Sequence, residues 1–521
     1  MQPAAGTYDQ ALQALVHAER GSYGDLSYMP VFRASALFYA LAGPDITTRI
    51  AFLNYWREKN GNPDVGVLVT VRDAGGRKRA RRFERLAAMT YDFDLREMLG
   101  SHEPFRGSME IEAFSSQDLK FQFPGLSVFY QTPRGVSYVH SNQRVYNDAE
   151  DRARGEPLNP WQSGFDVDTH RFDPFVFIVN GPAAYAGGDV PLVAVRHDGR
   201  ELRREVRLPP LAPYAVFDLR LAGVEGVAEF LGPRPGTCKI DLPLANVHLR
   251  LAAGHALKDQ SWLSVTHTYF DATQQRDYFD AGTLDAGVHP AFIPFTLVDG
   301  LDVDLVLYPI YAPAKLNLAL EAFGADGKPR LSIPLGSWRT PEDGVHRIDV
   351  RAALRRQDHA DAPGLYVLHL AADDGRLPAR ITYGLDFRVG DRLGTNISAS
   401  AYLAKSWGAG KRAWKWGPVV ALPGARNLVM VQAFSKRRGE QLATEGTVTL
   451  HGATGPVAQS RFVLHGNGSC VVEAEKLLAE AGYEAAAGEI LWYVVESAQP
   501  SLDVNQVCIS ADGLVGGDHS F

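Results

Sequence analysis

The sequence predicts a mainly β protein, a tandem array of about four divergent β-sandwich (Ig-like) units after a short, partly helical N-terminal extension. Three observations predict it. The chain has 521 residues, which is more than one hydrophobic core normally serves. A strand, turn, strand pattern occurs four times along the chain at nearly constant spacing. Turn residues separate short apolar runs at roughly the spacing expected of an all-β fold.

The four repeated hairpins are the clearest landmark. They read VLVTVRDAGGRKRARRFERL, LVAVRHDGRELRREVRL, LALEAFGADGKPRLSIPL and GTVTLHGATGPVAQSRFVL. Their turn glycines are Gly75, Gly199, Gly327 and Gly455, which lie 124, 128 and 128 residues apart. Glycine is expected there because tight hairpin turns need a positive φ angle, which glycine adopts at least cost. A period of this length indicates an array of whole domains rather than a solenoid.

An acidic residue follows each hairpin at the end of an alternating strand. These residues are Asp94, Asp218, Asp349 and Glu473, each followed by a short helical pattern. A carboxylate at that position can accept hydrogen bonds from the free amides of a helix start, so capping is the favoured interpretation. A catalytic carboxylate is the alternative.

The landmarks divide the chain into five segments. The expected segments are an N-terminal extension (1–45) and β-sandwich units at 46–150, 170–280, 288–402 and 414–521. The extension contains YDQALQALVHAERG, which has apolar residues at helical spacing, and the apolar segment FRASALFYALAG. Both are expected to pack on the first unit.

Composition excludes several classes of function. A formal net charge of −7 provides no field for a polyanion, so no nucleic-acid partner is expected. The basic run from Gly76 to Arg85 alternates like the solvent face of a hairpin strand. No secretory signal and no membrane-spanning apolar stretch are recognised, and a cytoplasmic location is expected. The three cysteines have no metal or redox spacing.

A histidine near the end of three units is the strongest candidate for a functional residue. These are His140, His267 and His519, with Asn396 taken as the counterpart in the third unit. Neighbouring polar groups make the ligand-binding candidates Arg144, Tyr146 and Asp148 after the first histidine, and Tyr269, Asp271 and Arg276 after the second. Imidazole can bind a metal, transfer a proton or donate a hydrogen bond. A purely structural hydrogen bond is the favoured interpretation, and a ligand contact and metal or acid–base chemistry are the alternatives.

No metal and no cofactor are expected from the sequence. The three histidines are far apart, and no HxH, HExxH or HxxxH pair accompanies them. They could meet only if the units close on one another, whereas an extended row of units would keep them apart.

Aromatic and basic residues alternate at the join before the fourth unit. Trp407, Trp414 and Trp416 lie there among four lysine and arginine residues. Exposed tryptophans beside cations can stack on sugar rings. The alternative is that they wedge two units together.

These features favour a binding or scaffold protein whose repeated units recognise a glycan or protein partner. No nucleophile elbow, phosphate loop or dinucleotide-binding motif is present in the sequence. The alternatives are an enzyme acting on a carbohydrate or related polar metabolite through a composite site between units, and a structural subunit of a larger assembly. The sequence leaves the oligomeric state open.

Overall fold

The computed structural model describes residues 31–121, 123–140, 143–145, 163–269 and 277–521. This part of the chain is mainly β, as predicted, with thirty-seven strands and five short α-helices. Its strands fall into four successive units.

Each of the first two units contains eight principal strands. Unit 1 consists of β1 (Arg33–Gly43), β2 (Ile46–Leu53), α1 (Tyr55–Glu58), β3 (Val65–Asp73), β4 (Lys78–Arg85), β5 (Thr90–Asp94), α2 (Leu95–Leu99), β6 (Phe105–Ser115), β7 (Ser127–Thr132) and β8 (Gly135–His140), followed by the short β9 (Arg144–Val145). Unit 2 consists of β10 (Ser163–Val167), β11 (Asp173–Val179), β12 (Gly188–Val195), β13 (Glu201–Leu208), β14 (Val216–Arg220), a 3-10 turn (Leu221–Gly223), α3 (Val227–Leu231), β15 (Gly236–Ile240), the short β16 (Val247–His248), β17 (Ala252–Ala256) and β18 (Leu263–His267).

The remaining two units repeat this succession. Unit 3 consists of β19 (Tyr278–Asp280), a 3-10 turn (Ala281–Thr283), β20 (Ala291–Leu297), β21 (Asp302–Leu307), β22 (Ala314–Phe323), β23 (Pro329–Thr340), β24 (His346–Asp349), α4 (Val350–Arg355), β25 (Gly364–Ala372), β26 (Arg376–Pro378), β27 (Thr382–Arg388), β28 (Thr395–Ser400) and β29 (Tyr402–Leu403). Unit 4 consists of β30 (Ala413–Val420), β31 (Arg426–Ala433), β32 (Ala443–Gly452), β33 (Gly455–His465), β34 (Gly468–Glu473), α5 (Ala474–Glu480), β35 (Ile490–Ser497), β36 (Leu502–Ile509) and β37 (Val515–His519).

The same strand order recurs in all four units. One path of paired strands has the order β4-β3-β6-β1 in unit 1, and β13-β12-β15-β10, β23-β22-β25-β20 and β33-β32-β35-β30 in the others. The second path has the order β5-β2-β7-β8, then β14-β11-β17-β18, β24-β21-β27-β28 and β34-β31-β36-β37. In unit 1 the pairing of β1 with β2 joins the two paths into one eight-stranded sheet, whereas in units 2 to 4 they are separate sheets. In unit 3, for example, apolar side chains of both sheets form one core. In units 2 to 4 the first two principal strands lie in different sheets, whereas in immunoglobulin domains they share one.

The beginnings of the first two units differ from the predicted boundaries. The apolar segment assigned to the extension forms β1, which pairs with β6 along ten residue pairs and is therefore integral to unit 1. In unit 2, β10 starts at Ser163, before the expected start at 170. The predicted helix of the extension lies outside the described residues.

The capping prediction holds for two of the four acidic residues. Asp94 accepts hydrogen bonds from the backbone amides of Arg96 and Glu97, and Asp349 accepts one from Ala352 at 2.8 Å. Glu473 begins α5 without a side-chain capping bond, and Asp218 instead pairs with the Arg220 guanidinium.

We expect Asp349→Ala to lower the free energy of unfolding by about 1 kcal/mol, because it removes a helix cap. Glu473→Ala is the matched control, since its carboxylate makes only partly exposed ion pairs, which are worth about 0.5 kcal/mol. Urea unfolding of both variants measures the difference. Equal losses would contradict the capping role.

The hairpin turn of each unit contacts the next unit. The Ala74 carbonyl accepts a hydrogen bond from the Val216 amide of unit 2 at 3.1 Å. The turns at Gly199 and Gly327 lie against backbone carbonyls of units 3 and 4, those of Glu342 and His465 respectively. In each case the contacted residue lies at or shortly before the start of the equivalent strand of the next unit, β14, β24 or β34.

The fourth hairpin closes this series. The Ala453 carbonyl, in the turn of unit 4, accepts a hydrogen bond from the Met89 amide of unit 1 at 3.0 Å. Met89 lies just before β5, the fifth strand of unit 1. The four units therefore form a closed ring in which each makes an equivalent contact with its successor.

The last strands of the four units pack around the centre of the ring. β8 contacts β18, β18 contacts β28, β28 contacts β37, and β37 contacts β8. The Val265 amide donates to Ser137 Oγ at 2.8 Å, and Thr395 Oγ1 donates to the Gly517 carbonyl at 3.3 Å. This packing brings the strand ends that carry the candidate histidines to one region.

Two further features concern the chain as a whole. Cys238, Cys470 and Cys508 are all unpaired thiols. Among the described residues, no helix has the length and apolar character needed to cross a membrane.

Candidate functional site

The three unit-ending histidines come together. One ring nitrogen from each of His140, His267 and His519 lies within 4.8 Å of the other two. The centroid of the His140 ring lies 4.7 Å from that of His267 and 4.5 Å from that of His519. The three residues end β8, β18 and β37, so this arrangement depends on closure of the ring.

Each histidine has an oxygen partner for its Nδ1 atom. The Asp518 Oδ2 atom lies 2.8 Å from Nδ1 of His140. The Thr268 carbonyl lies 3.1 Å from Nδ1 of His267, and the Ser520 carbonyl lies 2.9 Å from Nδ1 of His519. Carbonyl oxygens only accept, so Nδ1 carries the proton in the last two rings.

Electrostatics favour neutral imidazoles at His267 and His519 and an ionised carboxylate at Asp518. Burial, followed by the charge of Arg250, lowers the pKa of His267 well below its usual value. Burial also lowers the pKa of His519, to about 4. Burial acts to raise the pKa of Asp518, but its interactions with His140 outweigh that effect and hold it below its usual range. Arg250 Nη2 lies 2.8 Å from Nε2 of His267, which must accept there because a guanidinium only donates.

Asn396 is not part of this cluster. Its Oδ1 accepts a hydrogen bond from the Tyr308 hydroxyl at 2.8 Å, and its Nδ2 donates to Asp386. The next residue, Ile397, is buried in the core of unit 3. Unit 3 therefore contributes no imidazole to the centre of the ring.

The other candidate residues near the histidines have different locations. Arg144 is buried on β9, which pairs with β16. Tyr269 is buried between units 2 and 3, where its ring stacks on that of Tyr308 at a centroid distance of 3.8 Å. Tyr146, Asp148, Asp271 and Arg276 lie outside the described residues.

The three tryptophans lie between units and do not converge on the histidines. Trp407 is buried with Phe292 and Phe434, between units 3 and 4, and its Nε1 donates to the Phe434 carbonyl at 2.8 Å. Trp416 is buried against Tyr55 of unit 1, and the half-buried Trp414 packs on it. These positions match the wedge interpretation, and they leave little indole surface for stacking on a ligand.

A charged cleft lies between units 2 and 3. Its volume is about 280 Å³, and β17, β18, β27 and β28 contribute to its walls. The lining side chains carry four carboxylates, four guanidinium groups and one imidazole: Asp166, Asp168, Asp304, Asp386, Arg171, Arg347, Arg388, Arg392 and His255. Ser264, Thr266 and Asn396 add neutral polar groups, and Phe172 adds an aromatic ring. The fixed charges balance.

Arg347 holds the two walls of this cleft together. Its guanidinium contacts Asp166 of unit 2 and Asp386 of unit 3, the latter at 2.7 Å. Burial acts to lower the pKa of Arg347, but the two carboxylates outweigh it and raise the pKa. Burial raises the pKa of Asp166 to about 7, against the opposing effect of Arg347. The raised pKa keeps Arg347 protonated between Asp166 and Asp386.

Some buried polar atoms of the cleft residues have no hydrogen-bond partner. These include Arg347 Nε and Asp304 Oδ1. Buried polar groups are nearly always satisfied by protein, water or ligand. Arg347 and Asp304 therefore each keep one buried hydrogen-bonding atom that the protein does not satisfy.

Sequence reasoning missed the cleft. Asp166 and Asp168 lie in FDVDTHRF, between the unit expected at 46–150 and the unit expected to start at 170. Their alternation with apolar residues could have indicated a strand with two acids on one face, because side chains alternate along a strand. Nothing in the sequence pairs them with Arg347, which is 181 residues away.

A second cluster of ionisable groups lies near the contact between units 3 and 4. His369 Nε2 lies 2.8 Å from Glu321 Oε2, and the His289 ring stacks on that of His369 at 4.0 Å. The contact with Glu321 involves only Nε2 of His369, and Nδ1 of that ring is buried without a hydrogen-bond partner.

Comparison with known proteins gives little guidance. No protein-family model matches the chain, and no curated protein matches it. Among solved structures, a biofilm-associated protein BSP domain aligns over 97% of this chain and 98% of its own length, at 8% sequence identity and a TM-score of 0.14. A TM-score of that size is too low to indicate a shared fold.

Proposed function

We propose that this protein binds a small polyhydroxylated ligand, of the size of one sugar ring, in the cleft between units 2 and 3. The observation that carries the proposal is the composition of the cleft, in which balanced charges and hydroxyl groups line about 280 Å³. The volume is at the lower end of the range for small-molecule sites.

The chemistry of the walls suits a neutral ligand better than an ion. A strongly charged ligand would leave like charges unpaired, whereas sugar hydroxyls both donate and accept and can meet carboxylates, guanidinium groups and hydroxyls alike. Phe172 offers an aromatic face of the kind on which sugar rings pack. This proposal keeps the carbohydrate class expected from the sequence but moves the site from the tryptophans to the cleft.

Duplication of one unit and a scaffold role for the whole chain are part of this proposal. The recurrence of one strand order supports four copies of a single ancestral β-sandwich, joined by duplication. The arrangement of the copies around a closed ring supports a scaffold role in which the cleft between two of them forms the ligand site. Recognition of a protein partner and a cytoplasmic location remain predictions.

Binding of a panel of neutral monosaccharides, amino sugars and sugar phosphates, followed by calorimetry and thermal unfolding, tests the proposal. We expect a neutral sugar to bind, and the double variant Ser264→Ala, Thr266→Val to weaken that binding about tenfold, because two wall hydroxyls are lost at nearly constant shape. Thr444→Val is the matched control, since its hydroxyl is buried without a partner and far from the cleft in sequence. Binding that this double variant leaves unchanged would contradict the proposal.

An enzyme acting on a carbohydrate is the second candidate, and Asp166 favours it. A carboxyl whose pKa burial raises to about 7 can act as a general acid near neutrality. Analysis of the bound sugar after incubation distinguishes the two roles, because a binding protein returns it unchanged.

A further inference from the structure

The histidine cluster at the centre of the ring has a feature that neither packing nor ligand binding in the cleft requires. Two of its rings, those of His267 and His519, have Nδ1 fixed as the protonated nitrogen by a backbone carbonyl. In the third ring, Nδ1 of His140 faces the Asp518 carboxylate, which accepts a hydrogen bond from it in the same way. Nδ1 is therefore the hydrogen-bond donor in all three rings, so Nε2 is the nitrogen through which a neutral ring would bind an ion.

This is the arrangement that metal-binding histidines use. A ligating imidazole normally donates its other N–H to a carboxylate or backbone carbonyl, which fixes the tautomer and orients the ring. Here one carboxylate and two carbonyls serve three rings that come from three different units. A packing role for the histidines would not require the same nitrogen to carry the proton in each.

We propose that His140, His267 and His519 bind one divalent first-row transition-metal ion, of the Zn²⁺ type, through their Nε2 atoms. Three neutral imidazoles are a common donor set for such ions. The Asp518 carboxylate orients His140 and supplies negative charge beside the ion. It also accepts hydrogen bonds from the backbone amides of His140 and His519, so its position is fixed from both sides.

The cluster must contract slightly to hold an ion. One ring nitrogen of each histidine lies within 4.8 Å of one from each of the others, whereas nitrogens on one tetrahedral Zn²⁺ lie about 3.3 Å apart, so the side chains must shift to bring all three Nε2 atoms to that spacing. The Arg250 guanidinium at Nε2 of His267 must also withdraw, because it occupies the lone pair that the ion would take. Arg250 is therefore a competitor of the metal.

A small cavity adjoins the proposed site. It has a volume of about 10 Å³ and is lined by His140, His267, Arg250 and the rings of Tyr39 and Tyr130. This is close to the space needed for one water molecule. A three-histidine centre with such a space beside it leaves room for a further small ligand on the ion.

The expectation of no metal rested on the separation of the histidines in sequence. That reasoning applied to an extended row of units. In the closed ring the ends of β8, β18 and β37 meet, so separation in sequence no longer argues against a shared metal site.

Titration of the untagged, chelator-treated full chain with Co²⁺, a spectroscopic probe for Zn²⁺ sites, tests the proposal. We expect one equivalent to bind, with visible absorption typical of low coordination number and displacement by Zn²⁺. His519→Gln and His267→Gln should each lower Co²⁺ affinity at least tenfold. His359→Gln is the matched control, because His359 is exposed on unit 3 and should leave binding unchanged.

Two further variants separate a metal role from a structural one. Asp518→Asn should weaken Co²⁺ binding between tenfold and a hundredfold, as loss of an outer-shell carboxylate does. Arg250→Met should strengthen it, because a competing cation is removed from Nε2 of His267. Circular dichroism and the midpoint of thermal unfolding without metal check that each variant is folded.

The outcomes that overturn the proposal are specific. Absence of an absorption band at one equivalent of Co²⁺ would do so, as would equal affinity in the wild type and both histidine variants. Weaker binding in Arg250→Met would show that the guanidinium supports the site, and would overturn the competition step.

Discussion

Gly327→Ala is expected to destabilise the protein by about 3 to 4 kcal/mol, because alanine at this turn both strains the backbone and pushes unit 4 away. The φ angle of Gly327 is +75°, which costs an L-residue about 1 kcal/mol. An ideal Cβ atom there would lie 1.9 Å from the His465 carbonyl oxygen and 2.6 Å from Gly466 Cα. Both are backbone atoms of the next unit, so they cannot move without shifting a loop.

Gly300→Ala is the matched control for this experiment. Gly300 also has a positive φ, +73°, but no atom lies within 4 Å of the Cβ it would gain. The Gly300→Ala variant should therefore lose only about 1 kcal/mol of stability, which comes from backbone strain alone. Urea unfolding of both variants measures the difference between them. If the two variants lose equal stability, the contact between the hairpin turn and the next unit contributes nothing.

Acidification from pH 7 to 4.5 is expected to cost about 2 to 3 kcal/mol of stability through His255 alone. Burial lowers the pKa of this imidazole from 6.5 to about 4, and the carboxylate of Asp168 opposes the shift. The unfolded chain takes up a proton below pH 6.5, whereas the folded chain does so only near pH 4. Stability from this residue is therefore present above 6.5 and lost as the pH falls toward 4.

The surroundings of His255 define the variant that tests this. Its Nε2 accepts a hydrogen bond from the Asp168 amide at 2.9 Å. The charged groups around it are Asp168, Asp386, Arg347 and Arg171. His255→Gln keeps an acceptor but cannot take up a proton, so its unfolding free energy should fall less between pH 7 and 4.5. His359→Gln, at an exposed position, is the control. An unchanged pH dependence in His255→Gln would rule out this source of acid sensitivity.

Local features of the structure were predictable because their causes are local. The four hairpins formed where glycine interrupts paired apolar strands, and they pair as expected. Asp94 and Asp349 cap helices because a carboxylate before a helical pattern meets free amides. The recurrence of histidine in three units drew attention to residues that the structure brings together.

Arrangements between units could not be predicted in the same way. The Asp518 carboxylate and the His140 imidazole are in contact but are separated by 378 residues. Their contact depends on the rotation from each unit to the next, which is set by many small backbone contacts such as that of Gly327. Asn396 shows the same limit at a finer scale, because it lies near the start of β28, whereas the three histidines end their strands.

Closure of the ring also changes how the protein can come apart. In an open row of repeats, each end unit has one neighbour and unfolds first, as in solenoid arrays. Here the turn at Ala453 contacts unit 1, so no unit is an end unit. Freeing any single unit requires two interfaces to break together, which raises the free energy of subglobal opening and makes fraying from one side unfavourable. Hydrogen exchange should accordingly report similar protection for β8, β18, β28 and β37, the strands at the centre of the ring. We expect no gradient from the first unit to the last.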